Sequence, residues 1–235
     1  MVAAIFITIF ASFLWSLTNH IDKFMVGVEE SSSSLKTLLV FSTLVAGFVF
    51  TPVWLVVCRF HFAISFVSLF CVFIAVILYM LGTYFYFIAL AKNDASIVVV
   101  MFQLIPIFSY LLELVFFKEH LLIHQIVGSL VILLSAIIIS IDFEEKNSAS
   151  KGKALLFMLL SSLSYALYYF LFDIGIRNSG YHSCALWFQI GLLLLGIGFI
   201  CIKSYRETFI NAIKINGKKY ISLNITNEIL NLIAV

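Results

Sequence analysis

Long uncharged apolar runs alternate with short polar interruptions along the whole chain, and this alternation predicts helices that cross a membrane. A spanning helix needs about 20 apolar residues, since each adds about 1.5 Å towards a hydrocarbon core of about 30 Å. Residues 2–21 form the first such run. No Lys or Arg precedes it, and its second half is polar (Trp15, Ser16, Thr18, Asn19, His20), so a retained span is expected, not a cleaved signal peptide. Residues 22–36, including Ser31–Ser34, read as a polar loop, 37–58 as a second span and Arg59–His61 as a short connection. The uncharged run at 62–91 is 30 residues long. It is too short for two spans with a turn, so it predicts one tilted or extended helix centred near 70–90. Lys92, Asn93 and Asp94 make a tight turn, 95–117 a fourth span, Lys118–Glu119–His120 a turn, and 122–141 a fifth span.

The charged stretch 142–153 (DFEEKNSASKGK) then divides the chain. Beyond it, 154–172 and 184–202 predict a sixth and a seventh span, joined by a loop with a central glycine. Residues 203–220 read as a basic loop turning at Asn216–Gly217. The last 15 residues, 221–235, open another apolar segment but are too few to cross a bilayer, so the chain is expected to stop inside its eighth span.

Composition agrees with lipid as the solvent. The 235 residues are 63% hydrophobic and 11% charged, with a mean hydropathy of +1.14; an ordinary soluble domain is about 45–50% apolar and about 25% charged. A net charge of +2 without a dense basic block argues against nucleic acid as a partner. Cys58, Cys71, Cys184 and Cys201 form no CxxC pair and read as buried free thiols. His120 and His124 are spaced i, i+4 but have no third ligand, and no GxSxG, Walker or GxGxxG pattern occurs. No catalytic residue, metal or cofactor is therefore expected.

The chain also repeats itself. Ala11-Ser12-Phe13-Leu14-Trp15-Ser16-Leu17 aligns with Ser161-Ser162-Leu163-Ser164-Tyr165-Ala166-Leu167 at an offset of 150 residues. Five spans precede the divide, and an odd number per repeat sends the second copy into the membrane from the opposite side. Inverted repeats of this kind build many secondary transporters, with the substrate site at the repeat interface. The fold class expected is all-α: a polytopic membrane helix bundle of two inverted repeats of five spans, the second incomplete.

Residues 84–139 carry Ala89-Leu90, Ala95-Ser96, the Pro106-Ile107-Phe108 core, Lys118-Glu119-His120-Leu121, Gln125, Gly128 and a closing apolar helix. In this spacing the segment resembles the EamA-type half-domain of the drug/metabolite transporter superfamily, and the linker and aromatic restart at 152–170 fit its second half. His120 stands where that family usually carries Arg, and histidine titrates near about 6.5. The resemblance implies ten spans in two inverted halves: residues 1–141 the first half, 142–153 the linker, and 154–235 a C-terminally incomplete second half. It also implies an integral, multi-pass protein of the bacterial inner (plasma) membrane.

Polar groups at membrane depth are costly and mark candidate sites. Gln103, Pro106, Tyr110 and Glu113 are spaced i, i+3, i+7, i+10 and share a helix face. Pro106 frees a carbonyl one turn earlier, near Phe102, which gives either a polar site or a helix kinked for packing. Asn224, Asn227, Glu228 and Asn231 form a second stripe, facing inward on a span or facing water on an interfacial helix. Burial raises a carboxyl's pKa towards neutrality, so Glu113 and Glu228 are the proton-coupling candidates. Trp15 and Asn19 lie one turn apart, as do Tyr165 and Tyr169; these rings read as a substrate clamp or as packing and interface anchors. Gln189 completes the substrate-binding set of Trp15, Asn19, Gln103, Pro106, Tyr110, Tyr165 and Tyr169.

Two arguments about orientation disagree. The family precedent puts the N-terminus in the cytoplasm. Of the 14 Lys and Arg residues, all but Arg59, Lys118 and Arg177 fall in loops on one side, and the positive-inside rule then puts the N-terminus outside. The function expected is secondary transport, in the export direction, of small organic solutes by alternating access, with a proton as the possible coupling ion, lipid as the surrounding partner and a homodimer as a possible assembly. The competing reading is a non-transporting membrane protein, either a truncated remnant or a regulatory or assembly subunit. An intramembrane enzyme would need paired acids, a Ser/His pair or a metal cluster at depth, and none is found.

Overall fold

A computed structural model describes residues 2–28, 31–59, 62–93, 95–118, 122–140 and 148–234. Every regular element among them is helical: α1 (Val2–Val28), α2 (Ser31–Val57), α3 (Phe66–Lys92), α4 (Ala95–Val100), a 3-10 segment (Met101–Leu104), α5 (Ile105–Phe116), α6 (Ile123–Ser140), α7 (Ser148–Ser179), α8 (Tyr181–Cys201) and α9 (Lys203–Ala234). Asp94, the Glu119–His120 part of the expected turn and residues 142–147 of the linker lie outside the described residues, as do the side chains of His124 and Gln125.

Four stretches among the described residues have the length and composition of a membrane span: Leu35–Val57, Phe66–Ala91, Leu155–Ser179 and Tyr181–Cys201. Met101–Phe116 is a shorter apolar helix. Large apolar side chains point outward, Phe66 at 82% and Ile123 at 75% exposure, an arrangement suited to lipid and costly in water. The chain is an integral, multi-pass, all-helical membrane protein.

The uncharged run at 62–91 forms one helix, as its length predicts. Ser65 caps it, its hydroxyl accepting from the Ser68 N–H at 3.1 Å.

Several expected loops are helical instead. Residues 22–28 continue α1, because Thr18, Asp22, Met25 and Val26 are all buried at i, i+4, i+7, i+8 and extend its packed stripe. Ser31–Ser34 open α2. The loop expected between the sixth and seventh spans shrinks to one residue, Gly180, with φ 80; the chain reverses there in a conformation that suits glycine. Residues 148–153 belong to α7. The expected basic loop 203–220 lies in α9, because Phe209 packs against Phe41 at 4.8 Å and Tyr220 against the same ring at 5.8 Å. The turn expected at Asn216–Gly217 survives as a kink, with Gly217 at φ 63 and ψ −155. Of the cysteines expected to be buried, Cys71 and Cys184 are, Cys58 is half-buried and Cys201 is exposed; all four are free. Cys201 ends α8, where the helix leaves its packed neighbours.

The fourth span is broken. Pro106 lacks the N–H that would reach the Phe102 carbonyl. The backbone tightens into the 3-10 segment, and the Ile105 N–H takes that carbonyl instead. The carbonyl expected to be free near Phe102 is thus satisfied within the chain.

The chain forms two compact units, Met1–Val53 with Gln189–Val235, and Trp54–Phe188. In the first, α1 packs on α9, and glycines bring α2 and α8 close: a β-carbon at Gly196 would stand 2.7 Å from a Leu44 methyl. In the second, α3 packs along α7. The Ser68 hydroxyl donates to the Gly175 carbonyl at 3.0 Å, and the Ser161 hydroxyl donates to the Gly82 carbonyl at 2.9 Å. The two helices therefore run antiparallel, in contact through small residues, as membrane helices favour.

Candidate functional site

The first unit carries a buried polar cluster. Asp22 on α1 and Asn224, Asn227 and Glu228 on α9 are each at most 8% exposed. The Asn227 Nδ2 donates to Asp22 Oδ1 at 2.8 Å. The Asn224 amide donates to the Tyr220 carbonyl at 3.0 Å, and the Thr18 hydroxyl to the Trp15 carbonyl at 2.9 Å. Ser42 on α2 lies in hydrogen-bonding reach of the Glu228 carboxyl, and Asp22 acts on it as a second acid. The polar face of α9 thus turns inward, with Asn231 half-buried at its far end. Of the two readings of this stripe, the inward-facing one describes the packing. Trp15 is 44% exposed, and Asn19 is half-buried. Gln189 also belongs to this unit; its Oε1 is enclosed and accepts no hydrogen bond from a described residue.

The second unit carries an aromatic and hydroxyl seam between α3 and α7. Tyr79 meets the edges of Tyr165, Tyr168 and Phe188 at centroid distances of 5.7, 5.4 and 5.5 Å. The Thr83 hydroxyl donates to the Tyr79 carbonyl at 2.9 Å, so Tyr165 is the donor in its own 2.9 Å contact with Thr83. A β-carbon at Gly82 would stand 3.1 Å from the Tyr165 ring, so the glycine makes room for that ring. Tyr169 stacks on Tyr168 at 4.6 Å and is 44% exposed. The Ser162 hydroxyl donates to the Met101 carbonyl at 3.1 Å and ties the 3-10 segment to α7.

The predicted face of the fourth span is divided. Gln103 and Pro106 are exposed, while Tyr110 and Glu113 are half-buried. Gln103 lies in the 3-10 segment, and Pro106, Tyr110 and Glu113 lie in α5. At the end of α5 the Arg177 guanidinium lies 4.3 Å from the Phe117 ring centroid and bonds Asp173 at 2.6 Å.

The structure therefore groups Glu228 with Asp22 and Asn227, and Tyr165 with Tyr79 and Thr83. Trp15, Asn19 and Gln189 fall in the first unit, and Gln103, Pro106, Tyr110, Glu113, Tyr165 and Tyr169 in the second. Sequence reasoning missed Asp22, Tyr79 and Thr83.

No curated protein and no solved structure matches the chain. The model of the EamA-like transporter family matches residues 2–141, which is more than half of the chain. The helical, lipid-suited architecture and this match agree, and the chain belongs to the EamA-like transporter family.

Proposed function

We propose that the protein is a secondary transporter that exports small organic solutes across the bacterial inner membrane by alternating access. Its two inverted halves are residues 1–141 and 154–235, on either side of the linker 142–153. The observation that carries this reading is the pairing of helices. α3, from the first half, packs on α7, which opens the second half, and α1 packs on α9. An inverted repeat that exchanges the first span with the sixth and the third with the eighth turns one of these pairs into the other. A chance bundle has no reason to favour both.

Solute recognition is assigned to Trp15, Asn19, Gln103, Pro106, Tyr110, Tyr165, Tyr169 and Gln189, with aromatic rings facing the apolar or cationic part of the solute and amides its polar part. No nucleotide-binding motif occurs in the sequence, so an ion gradient or the solute's own gradient drives the cycle, with Glu113 or Glu228 carrying a coupled proton.

The test is flux in proteoliposomes under an imposed pH gradient, with a panel of labelled organic cations and amino acids. Gradient-driven flux of at least one probe is expected. Tyr165→Ala should lower it at least tenfold and Tyr165→Phe less. If Glu113→Gln and Glu228→Gln both leave proton-linked flux unchanged, neither carboxyl carries the coupled ion.

A further inference from the structure

Two acids lie buried together where α1 meets α9. Asp22 is 8% exposed and Glu228 7%, and each acts electrostatically on the other. Asn227, which directly precedes Glu228 on α9, is 5% exposed. Its Nδ2 donates to Asp22 Oδ1 at 2.8 Å. Its Oδ1 is fully enclosed and accepts no hydrogen bond from any described residue. Both atoms belong to one planar amide, so the orphan oxygen stands beside the same carboxylate. Flipping the amide would not help, because the oxygen would then face Asp22, acceptor against acceptor.

The groups acting on Glu228 are the carboxyl of Asp22 on α1 and the hydroxyl of Ser42 on α2, and its burial outweighs both. Two desolvated like charges in one place do not both stay ionised. A buried acceptor without a donor is likewise costly. One hydrogen ion eases both difficulties: it leaves a single negative charge on the pair, and it turns one carboxyl of the cluster into an O–H donor.

We propose that Asp22 and Glu228 hold one proton between them at a site where the Asn227 amide holds Asp22. Asp22 stays ionised and is held by the Asn227 Nδ2. Glu228 carries the proton, taken from bulk water and returned to it when the site opens. Asn227 is a positioning residue. The proposal names the ion and the acid pair for the transporter described above and rests on that reading for its role in transport; occupancy of the site by a proton is measurable without any solute.

The experiment is infrared spectroscopy of the purified full chain in lipid nanodiscs across a pH series. A neutral carboxylic-acid band is expected at neutral pH, titrating as one proton per chain. Glu228→Gln should abolish it and Glu207→Gln, at an exposed side chain, leave it intact. Asp22→Asn should move its titration to lower pH, because the neighbouring negative charge is gone. Asn227→Leu should shift the titration of the band, because Asp22 then loses the amide donor that holds it, an effect that a purely structural role would not produce. The wild-type titration stands even if a variant fails to fold.

A wild-type chain with no such band, or a band untouched by Glu228→Gln, overturns the proposal. So does saturable binding of radioactive sodium that Glu228→Gln removes, in a chain without the band. An absent band with gradient-driven flux intact defeats this proposal alone. A band present with no flux of any probe defeats the transport reading alone.

Discussion

Gly47 and Leu193 touch backbone to backbone: a β-carbon on Gly47 would lie 2.7 Å from the Leu193 β-carbon and 2.8 Å from its α-carbon. Neither atom is the end of a flexible side chain, so α2 and α8 would have to move apart. Overpacking of this kind costs about 1–3 kcal/mol, more than the gain of about 0.5–1 kcal/mol from replacing a helical glycine by alanine. Gly47→Ala is expected to lower the unfolding midpoint in detergent. Gly27→Ala, on α1 with nothing within 4 Å of its β-carbon position, is expected to raise it. Equal shifts for the two variants would mean that the close approach is not present in the folded protein.

The Ser162 hydroxyl ties the 3-10 segment before Pro106 to α7. Removing it breaks the link that its bond to the Met101 carbonyl makes between the two helices. A hydrogen bond contributes about 0.5–1.5 kcal/mol to stability, and those between membrane helices average about 0.6 kcal/mol in measured cycles. Ser162→Ala should therefore cost about 1 kcal/mol in a denaturant or SDS titration. Ser164→Ala is the control. That hydroxyl bonds only the Leu160 carbonyl of its own helix, at 2.8 Å, and such back-bonding contributes little to helix stability. Its loss should cost less than about 0.5 kcal/mol.

Gly217 occupies a backbone region open to little but glycine, at φ 63 and ψ −155. A side chain there costs about 1–3 kcal/mol. Gly217→Ala is expected to loosen the second half of α9 from α1. Hydrogen exchange reads this directly: the backbone amides of Asn224 and Asn227 should exchange at least tenfold faster, while those of 203–213 keep their rate. Unchanged protection at Asn224 would show that the kink does not set the docking of this segment.

The apolar runs made the positions of the helices legible in the sequence, and Pro106 marked the break in the fourth span. Whether the stripe of Asn224, Asn227 and Glu228 turned inward or to water was left open by the sequence, but the stripe was legible as one helix face, because its spacing is helical. Asp22 was not, because hydropathy weighs each residue in its own neighbourhood, and its partner lies 205 positions away. A charged residue beside Lys23 reads as loop until the helix opposite is known. The seam at Tyr79, Thr83 and Tyr165 was hidden for a related reason: rings and hydroxyls in an apolar run score as span, and only the pairing of α3 with α7 shows which of them meet. The reversal at Gly180 needed a single residue where composition suggested a longer loop.

The unequal burial of the four thiols gives the natural sequence a built-in attachment point for spectroscopic labels. Cys71 and Cys184 are closed off, and the Cys58 sulfur is engaged with the His182 carbonyl at 3.3 Å. Cys201 is open, next to the junction that joins α8 to α9. A maleimide fluorophore or spin label added to the unmodified chain therefore lands first at that junction, without the usual removal of background cysteines. The helix it reports on, α9, is the one that carries Asn227 and Glu228.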